Sequence, residues 1–233
     1  MKEVRTYRTT KSSIIPERES GPSKGESRRR STRRFVILMD SKNYQDHFFK
    51  QAKLKGYRSR SAFKLIELNQ KFKFLKNGIK LLDVGSFPGG WCQVAVKIVK
   101  NGKILGIDKK KTTKIKGVNL IEGDFLEENS KKNIIKFFDN KINVILSDMA
   151  PKTTGNKSLD AIKTNELCLS ILEFSNEMLD KNGVVISKLF MGDDFEEIKV
   201  YAKKTFKKID FFKPNSSRDN SRETYIHCNT LNT

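Results

Sequence analysis

The feature that most constrains the fold is a regular alternation of short apolar runs and helical patterns that begins at Lys80. The apolar runs are typical of buried strands: KLLDVGS, KILGID, GVNLIEGDF, NVILSD and VVISKLF. Helical segments lie between them, namely GWCQVAVKIV and residues 128–138, 158–180 and 193–206. This alternation predicts an α/β fold in which a mostly parallel sheet carries helices on both faces.

Two further strands, KIDFFK and TYIHC, bring the predicted sheet to seven. About ten polar residues, PNSSRDNSRE, connect them. A parallel return needs a dozen or more residues, usually helical, so the last strand is expected to be antiparallel. A parallel sheet with one reversed final strand is the layout of Rossmann-like methyltransferases. Ahead of the sheet, residues 43–55 and 59–74 are predicted to be helical, with an apolar stripe at Phe63, Ile66, Leu68 and Phe72.

A glycine-rich loop, LLDVGSFPGGW, follows the first strand. Ligands of open α/β sheets bind at the carboxyl ends of the strands, where this loop is expected. Gly85, Gly89 and Gly90 permit tight turns and a close approach of the backbone to a ligand. The spacing is G-x-x-x-G-G and Pro88 removes an amide, so the loop suits pyrophosphate poorly. It favours a nucleoside with an amino-acid tail, such as S-adenosylmethionine.

Two acidic residues at neighbouring strand ends support such a ligand. Asp108 ends the second strand, where a carboxylate can accept both ribose hydroxyl protons. Asp124, in EGDF, follows the third strand and is placed to accept from the adenine amino group. A glycine loop alone is equally compatible with a simple tight turn. The loop together with both acids predicts a cofactor site.

Charged residues also end the strands that follow. Asp148 closes NVILSD and Lys188 lies in VVISKLF, and these parallel strands place both residues towards the carboxyl edge. Glu223 begins the reversed last strand and therefore reaches the same edge. One interpretation is a partly buried ion network, which adds little stability because desolvation offsets the attraction. Three charges that converge beside a cofactor pocket favour catalysis instead.

Five motifs together resemble the FtsJ/RrmJ family of ribose 2′-O-methyltransferases: SRSAFKL, DVGSFPGGW, SDMAP, VVISKLF and SRETYI. The resemblance covers about residues 43–228 and implies S-adenosylmethionine as the methyl donor. It also implies a catalytic Lys-Asp-Lys-Glu set at Lys64, Asp148, Lys188 and Glu223. With the strand-end acids, the predicted cofactor site consists of Gly85, Gly89, Trp91, Asp108, Asp124 and Asp148.

Within the family, the motifs are most similar to the bacterial enzyme that methylates a uridine ribose in large-subunit ribosomal RNA. The resemblance therefore implies this RNA, within the large subunit or a late precursor, as the partner. Transfer RNA or an mRNA cap is an open alternative substrate, because related enzymes of the family carry out the same reaction on these RNAs. A non-catalytic ribosome-assembly factor is another. In the catalytic interpretation Lys188 contacts the 2′-oxygen, as base or as stabiliser of the developing charge, and Asp148 orients it.

The net charge of +20, from 47 Lys plus Arg against 27 Asp plus Glu, favours a polyanionic partner. Nucleic acid is the first candidate, and an anionic membrane surface is the second. A lysine-rich composition from an AT-rich genome contributes, but it does not explain the arginine cluster SRRRSTRR. Six basic residues near the predicted rim are suited to phosphate contacts: Lys53, Lys55, Arg58, Arg60, Arg218 and Arg222.

Residues 1–34 contain eleven Lys/Arg, four Glu and few large apolar residues, a composition that cannot bury enough surface to fold alone. We interpret residues 1–34 as a disordered basic arm and residues 35–233 as the methyltransferase domain. An organelle transit peptide is the alternative, against which the four glutamates argue.

Cysteine usage and hydropathy indicate the compartment. Cys92, Cys168 and Cys228 show no metal-ligand spacing, so no metal site is predicted. Their odd number and the lack of a secretory signal indicate a reducing, cytoplasmic setting. No apolar run approaches the ~18 residues that cross a bilayer. We expect a monomer that does not enter the membrane.

Overall fold

The computed structural model describes residues 41–152, 154–192, 195–218 and 221–232, with side chains from residue 47 onward. The predicted basic arm, residues 1–34, and the domain boundary at residue 35 lie outside these ranges. The described residues form a seven-stranded sheet with helices on both faces.

The described residues contain six helices and seven strands. The helices are α1 (Ser41–Leu54), α2 (Ala62–Phe72), α3 (Gly90–Ile98), α4 (Glu128–Phe138), α5 (Lys157–Met178) and α6 (Phe195–Thr205). The strands are β1 (Lys80–Val84), β2 (Lys103–Asp108), β3 (Asn119–Glu122), β4 (Ile142–Ser147), β5 (Leu179–Phe190), β6 (Phe206–Phe212) and β7 (Glu223–Leu231).

The strand order is β3-β2-β1-β4-β5-β7-β6. The parallel pairs are β1 with β2, β1 with β4, β2 with β3, and β4 with β5. β7 runs antiparallel to both of its neighbours, β5 and β6. The parallel sheet and the reversed last strand predicted from connection lengths are therefore confirmed. Because β1 has β2 on one side and β4 on the other, the strand order changes direction at β1, where such sheets bind ligands.

The core lies on both faces of the sheet. Successive residues of a strand point to opposite faces, so Leu81 packs towards α2 and α3 while Leu82 packs towards α4, α5 and α6. On α2 the buried residues are Ala62, Phe63, Leu65 and Leu68, whereas Ile66 and Phe72 of the predicted stripe are only half-buried. The predicted helix is confirmed, and its buried face is rotated slightly from the expected one.

Strand β5 begins at Leu179, earlier than the predicted start of the VVISKLF run. Leu179 pairs with Ile142, and the next pair joins Val184 to Val144, so residues 180–183 bulge out of the ladder. The sequence DKNG is polar and reads as a break between a helix and a strand. Leu179, 1% exposed, nevertheless docks on β4 before that break.

Candidate active site

Asp148 and Lys188 meet because they belong to neighbouring parallel strands. Asp148 directly follows β4, and Lys188 lies near the end of β5. Lys188 Nζ donates to the backbone oxygen of Asp148 at 2.7 Å and to its Oδ1 at 3.0 Å. The lysine is 6% exposed, and an unpaired charge at that depth would be costly. The two hydrogen bonds therefore fix the position of the lysine beside the carboxylate.

Glu223 and Lys64 form a second ion pair at the same edge. Glu223 is the first residue of β7, and Lys64 lies in the first turn of α2. Lys64 Nζ lies 2.6 Å from Glu223 Oε1. Ser217 Oγ, from the β6–β7 connection, donates to the same oxygen at 2.8 Å. The reversed strand thus delivers Glu223 to the carboxyl edge, as its direction requires.

Tyr225 joins the two ion pairs and was not foreseen from the sequence. Its hydroxyl donates to Asp148 Oδ1 at 2.7 Å, and Lys64 Nζ lies 5.8 Å from the centre of its ring. Tyr225 is fully buried. It follows Glu223 by two residues, so both side chains lie on one face of β7. That strand periodicity is the signal that could have identified it.

The electrostatics of the centre follow from these contacts. Burial raises the pKa of Asp148, but the positive charges of Lys188 and Lys64 and the hydrogen bond from Tyr225 outweigh it, so the net pKa is lowered. Burial, followed by the negative charges of Asp148 and Glu223, raises the pKa of Tyr225 well above its ordinary value. At neutral pH the centre thus holds an ionised carboxylate with a neutral tyrosine as donor.

A cavity of about 870 Å³ opens beside Asp148 at the carboxyl edge. Gly85, Asp108 and Asp124 also line it, so four of the six predicted cofactor residues share one space. The apolar part of the lining includes Phe87 and Met149. This mixture of apolar walls with a few convergent polar groups is typical of small-molecule sites.

The two strand-end acids are held by backbone amides. Asp108 accepts from the Phe87 amide at 3.0 Å and from the Lys110 amide at 2.8 Å, and its oxygens keep lone pairs for further donors. Asp124 pairs with Lys109 Nζ at 2.6 Å and accepts from the Leu126 amide at 3.1 Å. Burial raises the pKa of Asp124, but these two partners outweigh it and lower the net pKa.

Gly85 has the left-handed backbone conformation that a tight glycine turn requires. Its φ is +78°, and a Cβ there would lie 2.8 Å from Met149 Cγ. A side chain would therefore be both strained and obstructed. The loop therefore needs glycine at this position, where Gly85 lines the cavity.

Gly89 and Trp91 are not among the residues that line the cavity in the described part of the chain. Gly89, with φ +109°, precedes the first residue of α3. Trp91 is 3% exposed, and its Nε1 donates to the Ser61 carbonyl at 2.8 Å. The contact of both residues with the cofactor stays a prediction.

Arg58 was predicted to contact phosphate, and the structure gives its guanidinium other partners. Nη1 donates to the carbonyls of Pro88 at 3.2 Å and Thr113 at 2.7 Å. Nη2 donates to the Lys114 carbonyl at 3.0 Å. This arginine therefore ties the glycine loop to the β2–β3 connection. Sequence reasoning could not find this role, because all three acceptors are backbone atoms.

The described residues contain no group of three or more His, Cys, Asp or Glu side chains arranged to hold a metal ion. Over the same residues, no helix combines the length and the apolar character needed to cross a bilayer.

The model of one protein family, the FtsJ-like methyltransferases, matches residues 57–231. The chain belongs to the FtsJ-like methyltransferase family. This match covers both ion pairs, Tyr225 and the whole cavity lining, and it confirms the resemblance seen in the motifs. The predicted Rossmann-like methyltransferase fold is confirmed with it.

Curated relatives and solved structures agree with this assignment. Ribosomal RNA large subunit methyltransferase E of Pelagibacter ubique is 44% identical over 191 residues, which cover 82% of this chain and 94% of the relative. The protein of the same name from Rickettsia akari is 41% identical over 187 residues, covering 78% and 82%. A crystal structure from Plasmodium falciparum, described as a ribosomal RNA methyltransferase, aligns with a TM-score of 0.68 at 38% identity, covering 75% of this chain and 98% of that one.

As a member of this family the chain is a methyltransferase, and S-adenosylmethionine is its cofactor. The cavity fits that group. Asp108 offers oriented carboxylate oxygens, Phe87 and Met149 offer apolar surface, and Gly85 leaves backbone open to approach. Asp148 lies where this cavity meets the buried charges.

Proposed function

We propose that the chain transfers a methyl group to the 2′-hydroxyl of a uridine ribose in large-subunit ribosomal RNA. The observation that carries this proposal is the position of Asp148, which lines the cofactor cavity and also bonds Lys188 and Tyr225. Curated relatives that are 38–44% identical carry the name ribosomal RNA large subunit methyltransferase E, which supports the choice of RNA.

In this proposal the bound cofactor supplies an already activated methyl group, so the chain's task is to orient and activate the acceptor oxygen. Lys188 directs two of its donors at Asp148, and an ammonium carries three. We assign the third to the ribose 2′-oxygen, where it would stabilise the negative charge that develops as the hydroxyl proton passes to solvent water, before that oxygen takes up the methyl group. Asp148 fixes the direction of that donor.

Lys64 and Glu223 complete the proposed centre. Their ion pair lies on the Tyr225 side of Asp148, and Lys64 adds positive charge near the reacting oxygen. Glu223 holds Lys64 through a 2.6 Å contact and so keeps that charge in place. Together the four residues can position a ribose and balance the charge that it develops.

The remaining parts of the proposal concern the substrate particle, the cellular compartment and the oligomeric state. We propose that the substrate is the large subunit or a late precursor and that the enzyme acts in the cytoplasm as a monomer. All four side chains of the centre come from one chain. The cysteines Cys92, Cys168 and Cys228 are free and buried, which suits a reducing compartment.

Substitution Lys188→Ala tests the proposed chemistry. Methyl transfer from tritiated S-adenosylmethionine to unmodified large-subunit particles should fall by roughly 10²–10³-fold, because a charge-stabilising donor is lost. Calorimetry should show unchanged cofactor affinity, because Lys188 is not among the cavity-lining residues of the described chain.

Lys181→Ala is the matched control, since Lys181 is exposed on the bulge of the same strand. It should leave the rate unchanged. Near-normal turnover by Lys188→Ala would overturn the assignment. Mapping the modified nucleotide decides the substrate: methyl groups found only on transfer RNA or on a cap would replace the ribosomal proposal.

A further inference from the structure

The connection between β6 and β7 is polar in sequence and yet partly buried. Ser216 is 0% exposed and Ser217 is 2% exposed, although PNSSR reads as a solvated turn. The Ser217 amide donates to the Pro214 carbonyl at 3.0 Å, so residues 214–217 form a compact turn. A turn with two buried serines must rest on another part of the molecule.

That support is the carboxylate of Glu67 on α2. Glu67 Oε2 accepts from the Asn215 amide at 2.6 Å, and Oε1 accepts from the Ser216 amide at 3.0 Å. Two successive amides in a turn form a concavity that binds anions, and here a side chain of the same chain fills it. Arg60 adds a third contact, donating through Nη2 to the Ser216 carbonyl at 2.7 Å.

Residues 214–217, docked in this way, also contact the proposed catalytic centre. Ser217 Oγ donates to Glu223 Oε1, the same oxygen that contacts Lys64 Nζ. Lys64 and Glu67 are three residues apart on α2 and therefore neighbours on its surface. The contacts close a circuit that runs from Glu67 through the turn to Ser217, on to Glu223 and back to α2 at Lys64.

We propose that Glu67 is a positioning residue for methyl transfer: it docks residues 214–217 on α2 so that Ser217 holds Glu223 against Lys64. This inference rests on the proposed role of Lys64 and Glu223. Glu67 itself acts at a distance from the cofactor, since it is not among the cavity-lining residues of the described chain. Its loss should therefore reduce the rate of the chemical step and leave cofactor binding alone.

The test is Glu67→Gln, which keeps the size of the side chain but replaces one acceptor oxygen by an amide group that cannot accept the backbone proton. The single-turnover rate of methyl transfer should fall about tenfold, the usual order for losing one charge-assisted hydrogen bond to a positioned element. The dissociation constant for S-adenosylmethionine should stay within error of the unsubstituted protein, while the Tm falls by a few degrees because the turn loses one docking hydrogen bond. A decrease in cofactor affinity that accompanies a lower Tm would indicate a merely structural role for Glu67 and overturn the proposal.

Ser217→Ala supplies a second variant that removes only the hydroxyl facing Glu223. Because both substitutions break the same circuit, the double variant should be no slower than the slower single variant. If the two reductions in rate multiply in the double variant, the substitutions act independently and the proposed chain of contacts is wrong. Glu196→Gln, an exposed carboxylate on α6 paired with Lys199, is the control and should leave the rate unchanged.

The same assay with Lys188→Ala separates this inference from the proposed function. If Lys188→Ala is inactive while Glu67→Gln keeps its full rate, only the positioning role of Glu67 fails. If Lys188→Ala is active, the catalytic centre itself has been assigned wrongly.

Discussion

At the scale of single residues, Asp83 is a buried carboxyl that the proposed chemistry does not use. It lies on β1, is 1% exposed and accepts from Cys92 Sγ at 3.1 Å. Burial, helped by the negative charges of Asp148 and Asp108, raises the pKa of Asp83 to about 7, against the opposing hydrogen bond from Cys92. Its titration therefore falls in the physiological range.

This raised pKa predicts how stability depends on pH. In the unfolded chain Asp83 titrates near ~3.9, so the folded state binds an extra proton between about pH 4 and pH 7. Stability from this group is fully present below about pH 4, is lost as the pH rises, and levels off above about pH 7. Asp83→Asn lacks this titration. Its free energy of unfolding relative to the unsubstituted protein should increase between pH 5 and 7, by at most about 1.4 kcal/mol per pH unit.

Urea denaturation of both proteins at pH 5, 6, 7 and 8 measures this difference, and the other titrating groups cancel because both proteins share them. If the difference in free energy of unfolding between the two proteins stays constant across these pH values, Asp83 does not titrate there.

At the scale of elements, the connection between α1 and α2 holds the glycine loop. The Arg58 amide donates to Gln93 Oε1 at 2.7 Å, and Gln93 Nε2 donates to the Gly56 carbonyl at 3.0 Å. Together with the Arg58 guanidinium on Pro88, Thr113 and Lys114, these bonds tie three segments of chain together. Two of those segments flank the cavity that Phe87 and Lys110 line.

Arg58→Ala should therefore weaken S-adenosylmethionine binding about tenfold, because backbone acceptors in both loops lose their donor. Arg58→Lys should not restore affinity, since an ammonium cannot reproduce the planar fork that spans these carbonyls. Calorimetry measures both. Lys55→Ala, a loss of the same charge three residues earlier, is the control. If Arg58→Ala instead spares cofactor affinity and reduces RNA binding, the original expectation of a phosphate contact is correct.

At the scale of the whole molecule, the net charge of +20 is the property that acts over distance. Affinity for ribosomal RNA should fall steeply with salt, with log K changing by about −0.7 to −0.9 per log unit of salt for each phosphate contacted. Replacing Arg28, Arg29, Arg30, Arg33 and Arg34 with Gln should flatten that slope if the basic segment touches RNA. The control is Lys132→Gln with Lys136→Gln on α4, across the sheet from Lys64. A slope near zero for the unsubstituted protein would contradict electrostatic binding.

Local residue pattern and tertiary packing account for different parts of the fold and of the site. Strand–helix alternation, the reversed β7 and the delivery of Asp148, Lys188 and Glu223 to one edge were predictable, because periodicity and connection length act locally. Lys64 was reached only through the family resemblance. Tyr225, Ser217 and the acceptors of Arg58 were missed, since their partners lie on other elements of the chain.

The sequence by itself therefore determined the direction of the strands, and with it the edge at which the charges gather, whereas their order in the sheet came from the structure. Only the tertiary structure decided which of these charged side chains pair with each other. Lys64 on α2 meets Glu223 on β7, and the docked turn brings Ser217 to the same oxygen. The physical reason is that strand direction follows from short-range pattern, whereas a hydrogen bond of 2.6–3.0 Å depends on how whole elements pack against one another.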